Sequence, residues 1–204
     1  MNKFIVALWV VIAGFGLSAH AEEAASGKEV NIAKGLKNII VETDDGPISI
    51  ERVQDTTNEI MADFALTSRP CPPFCVQPMK AADGVETVGE LEIVEFLRDK
   101  KGLLVDARTE EWHFKGTIPG SVNIPYVEAS TRMDEMGCKK SKGKWDCTKA
   151  ESLILYCNGP WCGQSQAAIR SLINAGYPAQ KLNYYRGGMQ AWHALGLTVV
   201  EGGL

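Results

Sequence analysis

Histidine is scarce in this chain, with 3 in 204 residues. Only His113 and His193 lie beyond residue 21, far apart in sequence and flanked by aromatic residues. That scarcity argues against a zinc site with histidine ligands and against a Cys–His catalytic couple. No metal and no other cofactor is expected. A basic surplus is also missing: Lys and Arg number 21 against 25 Asp and Glu, for a formal net charge of −4. Without a basic stripe, nucleic-acid binding has no electrostatic support. An anionic substrate would be held by local dipoles rather than drawn by the whole molecule. No internal repeat and no low-complexity tract is found, which argues against a solenoid.

Long apolar runs are limited to one, Phe4 to Leu17, short for a membrane span. Lys3 precedes it and Ala19-His20-Ala21 follows with small-x-small spacing. Together they read as a secretory signal peptide over residues 1–21, cut after Ala21. An uncleaved anchor is the alternative. Cleavage removes Lys3 and no acidic residue, leaving a slightly more acidic chain with no further span. The expected location is periplasmic.

What the chain does have is 6 cysteines. In an exported protein they suggest disulfides. They fall into sequence-close pairs: Cys71/Cys75, Cys138/Cys147 and Cys157/Cys162. Pairing is best supported for Cys138/Cys147, because the Lys-rich, Gly-containing segment between them suits a solvated hairpin or loop. The Cys71/Cys75 spacing fits a disulfide pinning a proline-rich loop. It also suits a soft-metal thiolate pair for Cu(I), or a relay exchanging with Cys157/Cys162.

Along the chain, residues 22–30 are polar and small. Ile39–Thr43 and Ile48–Glu51 flank Asp44-Asp45-Gly46-Pro47, the pattern of a hairpin. A weak helical period runs from Thr56 to Phe64. Pro70, Pro72, Pro73 and Pro78 then exclude a helix interior or a central strand. This stretch marks a boundary between an N-terminal extension, residues 22–84, and a main domain, residues 85–201. In that domain helices are expected over Val88–Lys100, Ala167–Ala175 and from Met189. Strands are expected over Leu103–Asp106, Val122–Pro125, Leu153–Tyr156 and Leu182–Tyr185. Such alternation predicts an α/β fold, a mostly parallel sheet flanked by helices.

The run Leu153–Tyr156 ends on Cys157, and a Gly- and Pro-containing loop leads into a helix. A cysteine between a strand end and a helix start faces backbone N–H groups and the positive end of the helix dipole. That setting stabilises a thiolate, the reactive form. In parallel sheets ligands bind at this end of the strands.

Leu103–Tyr126 holds an Asp-x-Arg pair, Asp106 and Arg108, then Gly-Thr-Ile-Pro-Gly-Ser-Val-Asn-Ile-Pro. Tyr156–Ser165 reads YCNGPWCGQS, and Tyr184–Leu197 holds Gly-Gly-x-x-x-Trp. In that order these segments resemble the rhodanese-like sulfurtransferase family over residues 85–201. The resemblance implies a sulfurtransferase that passes sulfane sulfur from a small sulfur-containing anion to a thiol or cyanide through a Cys157 persulfide. It also implies a donor-binding loop of Asn158, Gly159, Pro160, Trp161, Gly163, Gln164 and Ser165, whose amides cradle the anion, and a structural salt bridge between Asp106 and Arg108. The loop is longer than the usual family loop and lacks its arginine, so it has no bidentate anion clamp. The missing arginine puts thiosulfate in question as donor and argues against Cys-dependent phosphatase chemistry. Cys162 is a resolving partner for Cys157, a second sulfur acceptor or loop filler, with reversible pairing preferred. Two other functions stay open: a periplasmic thiol-disulfide protein using Cys157/Cys162 and a reducing partner protein, and a non-catalytic binding module working through Cys71 and Cys75.

Overall fold

The computed structural model describes residues 29–203. The signal peptide expected over residues 1–21 lies outside the described residues. The chain opens with a hairpin, β1 (Asn38–Thr43) and β2 (Gly46–Glu51), antiparallel with Ile39 opposite Ile50 and Val41 opposite Ile48. A single helical turn follows, α1 (Ala62–Ala65). Then come β3 (Glu86–Val88), α2 (Glu90–Arg98), β4 (Leu103–Asp106), α3 (Glu110–Lys115) and β5 (Ser121–Asn123). A small hairpin pairs β6 (Lys139–Ser141) with β7 (Lys144–Asp146). The last elements are β8 (Leu153–Tyr156), α4 (Gln164–Asn174), β9 (Leu182–Tyr185) and α5 (Gly188–Ala194).

Five strands form one parallel sheet in the order β3-β9-β8-β4-β5. The short apolar strands explain the sheet: β8 is buried along its whole length, as a central parallel strand covered on both faces must be. Its side chains alternate between two cores. Leu153 and Leu155 join Ala168, Ile169 and Leu172 of α4 on one face. Ile154 and Tyr156 join Ile93 and Val94 of α2 and Met189 and Trp192 of α5 on the other. The register aligns Asp106, Tyr156 and Tyr185 across neighbouring strands. Consequently Ala107, Cys157 and Arg186 leave the sheet along a single edge.

The first hairpin and α1 of the N-terminal extension belong to the second core. Ile39, Val41, Ile50 and Phe64 are buried with α2 and α5. The end of the hairpin is also joined to the segment after α5, where Glu51 N–H donates to Thr198 Oγ1 at 2.9 Å and Val53 N–H to the Gly196 carbonyl at 2.7 Å.

Several boundaries differ from the sequence reading. Strand β3 was not expected, because Glu86-Thr87-Val88 has no apolar run and pairs only along the edge with β9. The residues after it are helical from Glu90 rather than from Val88. The Gly89 amide donates to the Glu92 carboxylate at 2.9 Å and so fixes that start. Helix α4 begins three residues before the expected Ala167, because polar Gln164, Ser165 and Gln166 hide its first turn from an apolar-period reading. Strand β5 ends at Asn123, before Pro125. Between Thr56 and Phe64 the expected helix is reduced to α1, and Asp55 instead folds a turn through the Thr57 amide and hydroxyl.

Candidate functional site

Cys157 follows the central strand β8, and its neighbours fix it from several directions. The first free amides of α5, on Met189 and Gln190, donate to the carbonyls of Cys157 (3.0 Å) and Asn158 (2.9 Å). Unpaired helix N–H groups are thereby satisfied by the loop itself. Gly188 enters the helix at φ +57°, where a Cβ would collide with the Cys157 carbonyl, so glycine is required there. The Asn158 side chain is buried and accepts from Arg108 Nη1 at 3.2 Å. Arg108 also binds Asp106 through Nε (2.8 Å) and Nη2 (2.6 Å). Asp106 further meets Thr117 Oγ1 and His113 Nδ1, each at 3.0 Å. A wholly buried ion pair thus stands directly behind the loop.

Cys157 is 2% exposed and Cys162 6% exposed, and neither is in a disulfide. Burial by itself pushes the Cys157 thiol up. Hydrogen bonds from the Cys162 thiol, the Ser165 hydroxyl and amide, and the Gly159 amide outweigh it and bring Cys157 down to about 7. The Ser165 hydroxyl stands 3.3 Å from the sulfur. Cys162 moves the opposite way: its bond to Cys157 holds its own proton in place, and burial adds to that. Within the pair, Cys157 therefore loses its proton before Cys162 does. One group opposes the thiolate, the Cys162 carbonyl, 3.1 Å from Cys157 Sγ.

Amides of the expected cradle from Asn158 to Gln164 are shared between the two sulfurs. The Gly159 and Ser165 amides bond to the Cys157 sulfur, and the Asn158 and Gln164 amides to the Cys162 sulfur. The Cys162 amide instead closes a turn onto the Gly159 carbonyl at 2.9 Å. The other predicted loop residues face elsewhere. The Pro160 carbonyl accepts from the Gln77 amide at 2.8 Å. Trp161 Nε1 donates to Gln190 Oε1 at 2.9 Å. Gly163 sits under the Gln77 side chain, and Gln164 Oε1 stands 3.5 Å from the Cys162 sulfur.

Sequence reasoning missed the residues that cover this loop. Phe74 packs on Trp161 with ring centroids 4.9 Å apart, and the Arg69 guanidinium lies over both rings. Arg186, next after β9, holds the Gln77 carbonyl through Nε (3.1 Å) and Nη2 (2.9 Å). These groups border a cleft of about 260 Å³, lined by Arg69, Phe74, Pro160, Trp161 and Arg186 among others. Two arginines from outside the loop thus line a cleft against Pro160 and Trp161. The other cysteines are bridged, Cys71 to Cys75 and Cys138 to Cys147. Among the described residues no group of His, Cys, Asp and Glu is arranged to hold a metal ion. Nor is any helix among them long and apolar enough to cross a membrane.

A parallel sheet presenting a low-pKa cysteine between strand and helix defines a class of α/β proteins built around a thiolate loop. Residues 91–195 match the family described as the rhodanese-like domain, and the chain belongs to that family. It is 33% identical over 99 residues to an HTH-type transcriptional regulator of Mycobacterium tuberculosis, covering 48% of this chain and 38% of the regulator. The chain therefore spans well under half the length of that curated relative. Similar solved structures include thiosulfate sulfurtransferase from Pseudomonas aeruginosa, with TM-score 0.46 and 21% identity over 61% of this chain and 22% of that one. Human single-domain sulfurtransferase TSTD1 is another, with TM-score 0.38 and 25% identity over 53% of this chain and 95% of that one.

The hydrogen bonds to Cys157 set a pH dependence. Alkylation of Cys157 by iodoacetamide should rise through a midpoint near 7, because the thiolate fraction grows with pH. Ser165→Ala removes one hydroxyl donor and should move the midpoint upward. A midpoint at the ordinary thiol value of about 8.5 in both proteins would show that the loop does not activate the sulfur.

Proposed function

We propose that the protein is a sulfurtransferase carrying sulfane sulfur as a Cys157 persulfide. The observation that carries this reading is the placement of Cys157, a free cysteine between the end of β8 and the start of α4 whose sulfur accepts from the Ser165 hydroxyl at 3.3 Å. In the first half-reaction the thiolate attacks the outer sulfur of a small anionic donor. A bond forms between that sulfur and Cys157, the donor's S–S bond breaks, and with thiosulfate the leaving group is sulfite. The second half-reaction returns the thiolate as a thiol or cyanide takes the outer sulfur. The Gly159 and Ser165 amides and the Ser165 hydroxyl support the negative sulfur throughout.

One observation favours a second reading, thiol-disulfide exchange. The Cys162 thiol reaches the Cys157 sulfur and could resolve it to a disulfide. Its proton, held in place by Cys157, weighs against attack in the resting state. Export to an oxidising compartment belongs to the same proposal, supported by the signal-like residues 1–21 and the two bridged pairs.

Steady-state turnover tests the reading. Thiocyanate should form from cyanide with both polysulfide and thiosulfate. The thiosulfate KM should be the higher, since no loop arginine clamps its sulfonate. Turnover with neither donor would overturn the proposal.

A further inference from the structure

The two bridged cysteine pairs are built differently. Cys138 and Cys147 are 3% and 7% exposed and sit in the core beside β8 and α4. Cys71 is exposed and Cys75 half-buried, in a surface segment with Pro72 and Pro73 exposed between them. A disulfide restricts the unfolded chain more as the loop it closes lengthens. The bridge at Cys71–Cys75 spans a sequence separation of only 4, against 9 for the other. Its contribution to global stability is correspondingly the smaller, and a reductant can reach it.

This short bridged loop lies on the loop that carries Cys157. Phe74, inside the bridge, stacks on Trp161, and Arg69 covers both rings. Immediately after the bridge, the Gln77 amide binds the Pro160 carbonyl, and Gln77 Nε2 returns to the Cys75 carbonyl at 2.8 Å. Arg186 then fixes the Gln77 carbonyl to the edge of the sheet. The strap thus rests on the Pro160–Gly163 part of the loop, and Cys157 in the same loop is 2% exposed.

We propose that the Cys71–Cys75 disulfide is a redox-active site, opened by an external dithiol, and that opening it releases the strap and exposes Cys157. In that step a thiolate of the dithiol attacks one bridge sulfur, the S–S bond breaks and a mixed disulfide forms. The second thiol of the reductant then displaces the protein sulfur. The protein gains two electrons and two protons as Cys71 and Cys75 become thiols, and the reductant leaves as a disulfide. Phe74 loses its closed loop, and its hold on Trp161 weakens. The inference rests on the proposed function in one respect: a sulfur donor must reach Cys157.

Access is measured without any sulfur transfer, so the two ideas fail separately. In a Cys162→Ser background, which prevents a Cys157–Cys162 bond, the protein is titrated with dithiothreitol and then freed of it. Cys71–Cys75 should open before Cys138–Cys147. Iodoacetamide should then alkylate Cys157, located by fragment-ion mass spectrometry, about tenfold faster than in the bridged protein, as expected when local opening limits access. Phe74→Ala, with the bridge intact, should raise the rate in the same direction. Equal rates in the bridged, reduced and Phe74→Ala proteins would overturn the proposal, as would earlier opening of Cys138–Cys147. If access changes as expected but no donor loads Cys157, the latch stands and the sulfurtransferase reading falls.

Discussion

Cys157→Ser should lower sulfur transfer by at least about a thousandfold, the scale on which loss of a covalent nucleophile acts. A serine hydroxyl stays protonated near neutral pH and cannot hold a sulfane sulfur in exchangeable form. The replacement is close in volume and keeps a hydrogen-bonding group beside Ser165 and the Cys162 carbonyl, so folding should be little changed. Thermal unfolding checks that the loss is chemical. Cys162→Ser is the necessary partner. A serine there still donates toward Cys157, so transfer should fall by less than about tenfold. If electron exchange through a Cys157–Cys162 bond were the activity, Cys162→Ser would be as damaging as Cys157→Ser. The ratio of the two losses in one assay distinguishes the readings.

Asp106→Asn should destabilise the protein by about 3–5 kcal/mol, the usual cost of breaking a buried ion pair by removing one partner. Arg108 is 1% exposed and would keep its charge with no carboxylate beside it. Urea unfolding measures the loss, a large share of the roughly 5–15 kcal/mol that holds a domain together. The native pair also has a pH signature. Burial raises the Asp106 carboxyl, but the Arg108 and His113 bonds and the Arg108 charge outweigh it and bring it down to about 2. A depressed carboxyl stabilises the fold above its unfolded value near 4, and that contribution fades as pH falls from there toward 2. Asp106→Asn should flatten this acid limb. Because Arg108 also holds Asn158, the substitution should slow Cys157 alkylation at neutral pH as well.

How far sequence reasoning reached depends on where each interaction lives. The strands at Leu103–Asp106, Leu153–Tyr156 and Leu182–Tyr185 are short apolar runs between turn residues, and their boundaries agree with the structure. Their alternation with helices gives the parallel sheet and places Cys157 at its carboxyl edge. Strand β3 was hidden because three edge residues carry no period. The cover over the Pro160–Gly163 part of the loop was hidden for a different reason. It comes from a proline-rich segment with neither helical nor strand period, and its main tie is a backbone bond, Gln77 N–H to the Pro160 carbonyl. Side-chain types do not encode such a bond. Arg186 lay inside a recognised segment, yet its target, the Gln77 carbonyl, is remote in sequence. Likewise, Cys162 was legible as a neighbour of Cys157, but not the inward carbonyl it brings to the sulfur.

The central claim, that Cys157 carries sulfur, is tested most directly by mass spectrometry of the protein after reduction, removal of the reductant and brief treatment with polysulfide. One added sulfur atom is expected, located on Cys157 by fragment ions, absent from Cys157→Ser and removed by cyanide with formation of thiocyanate. A Cys157–Cys162 disulfide at every time point, with no sulfur addition on Cys157 even in Cys162→Ser, would contradict it.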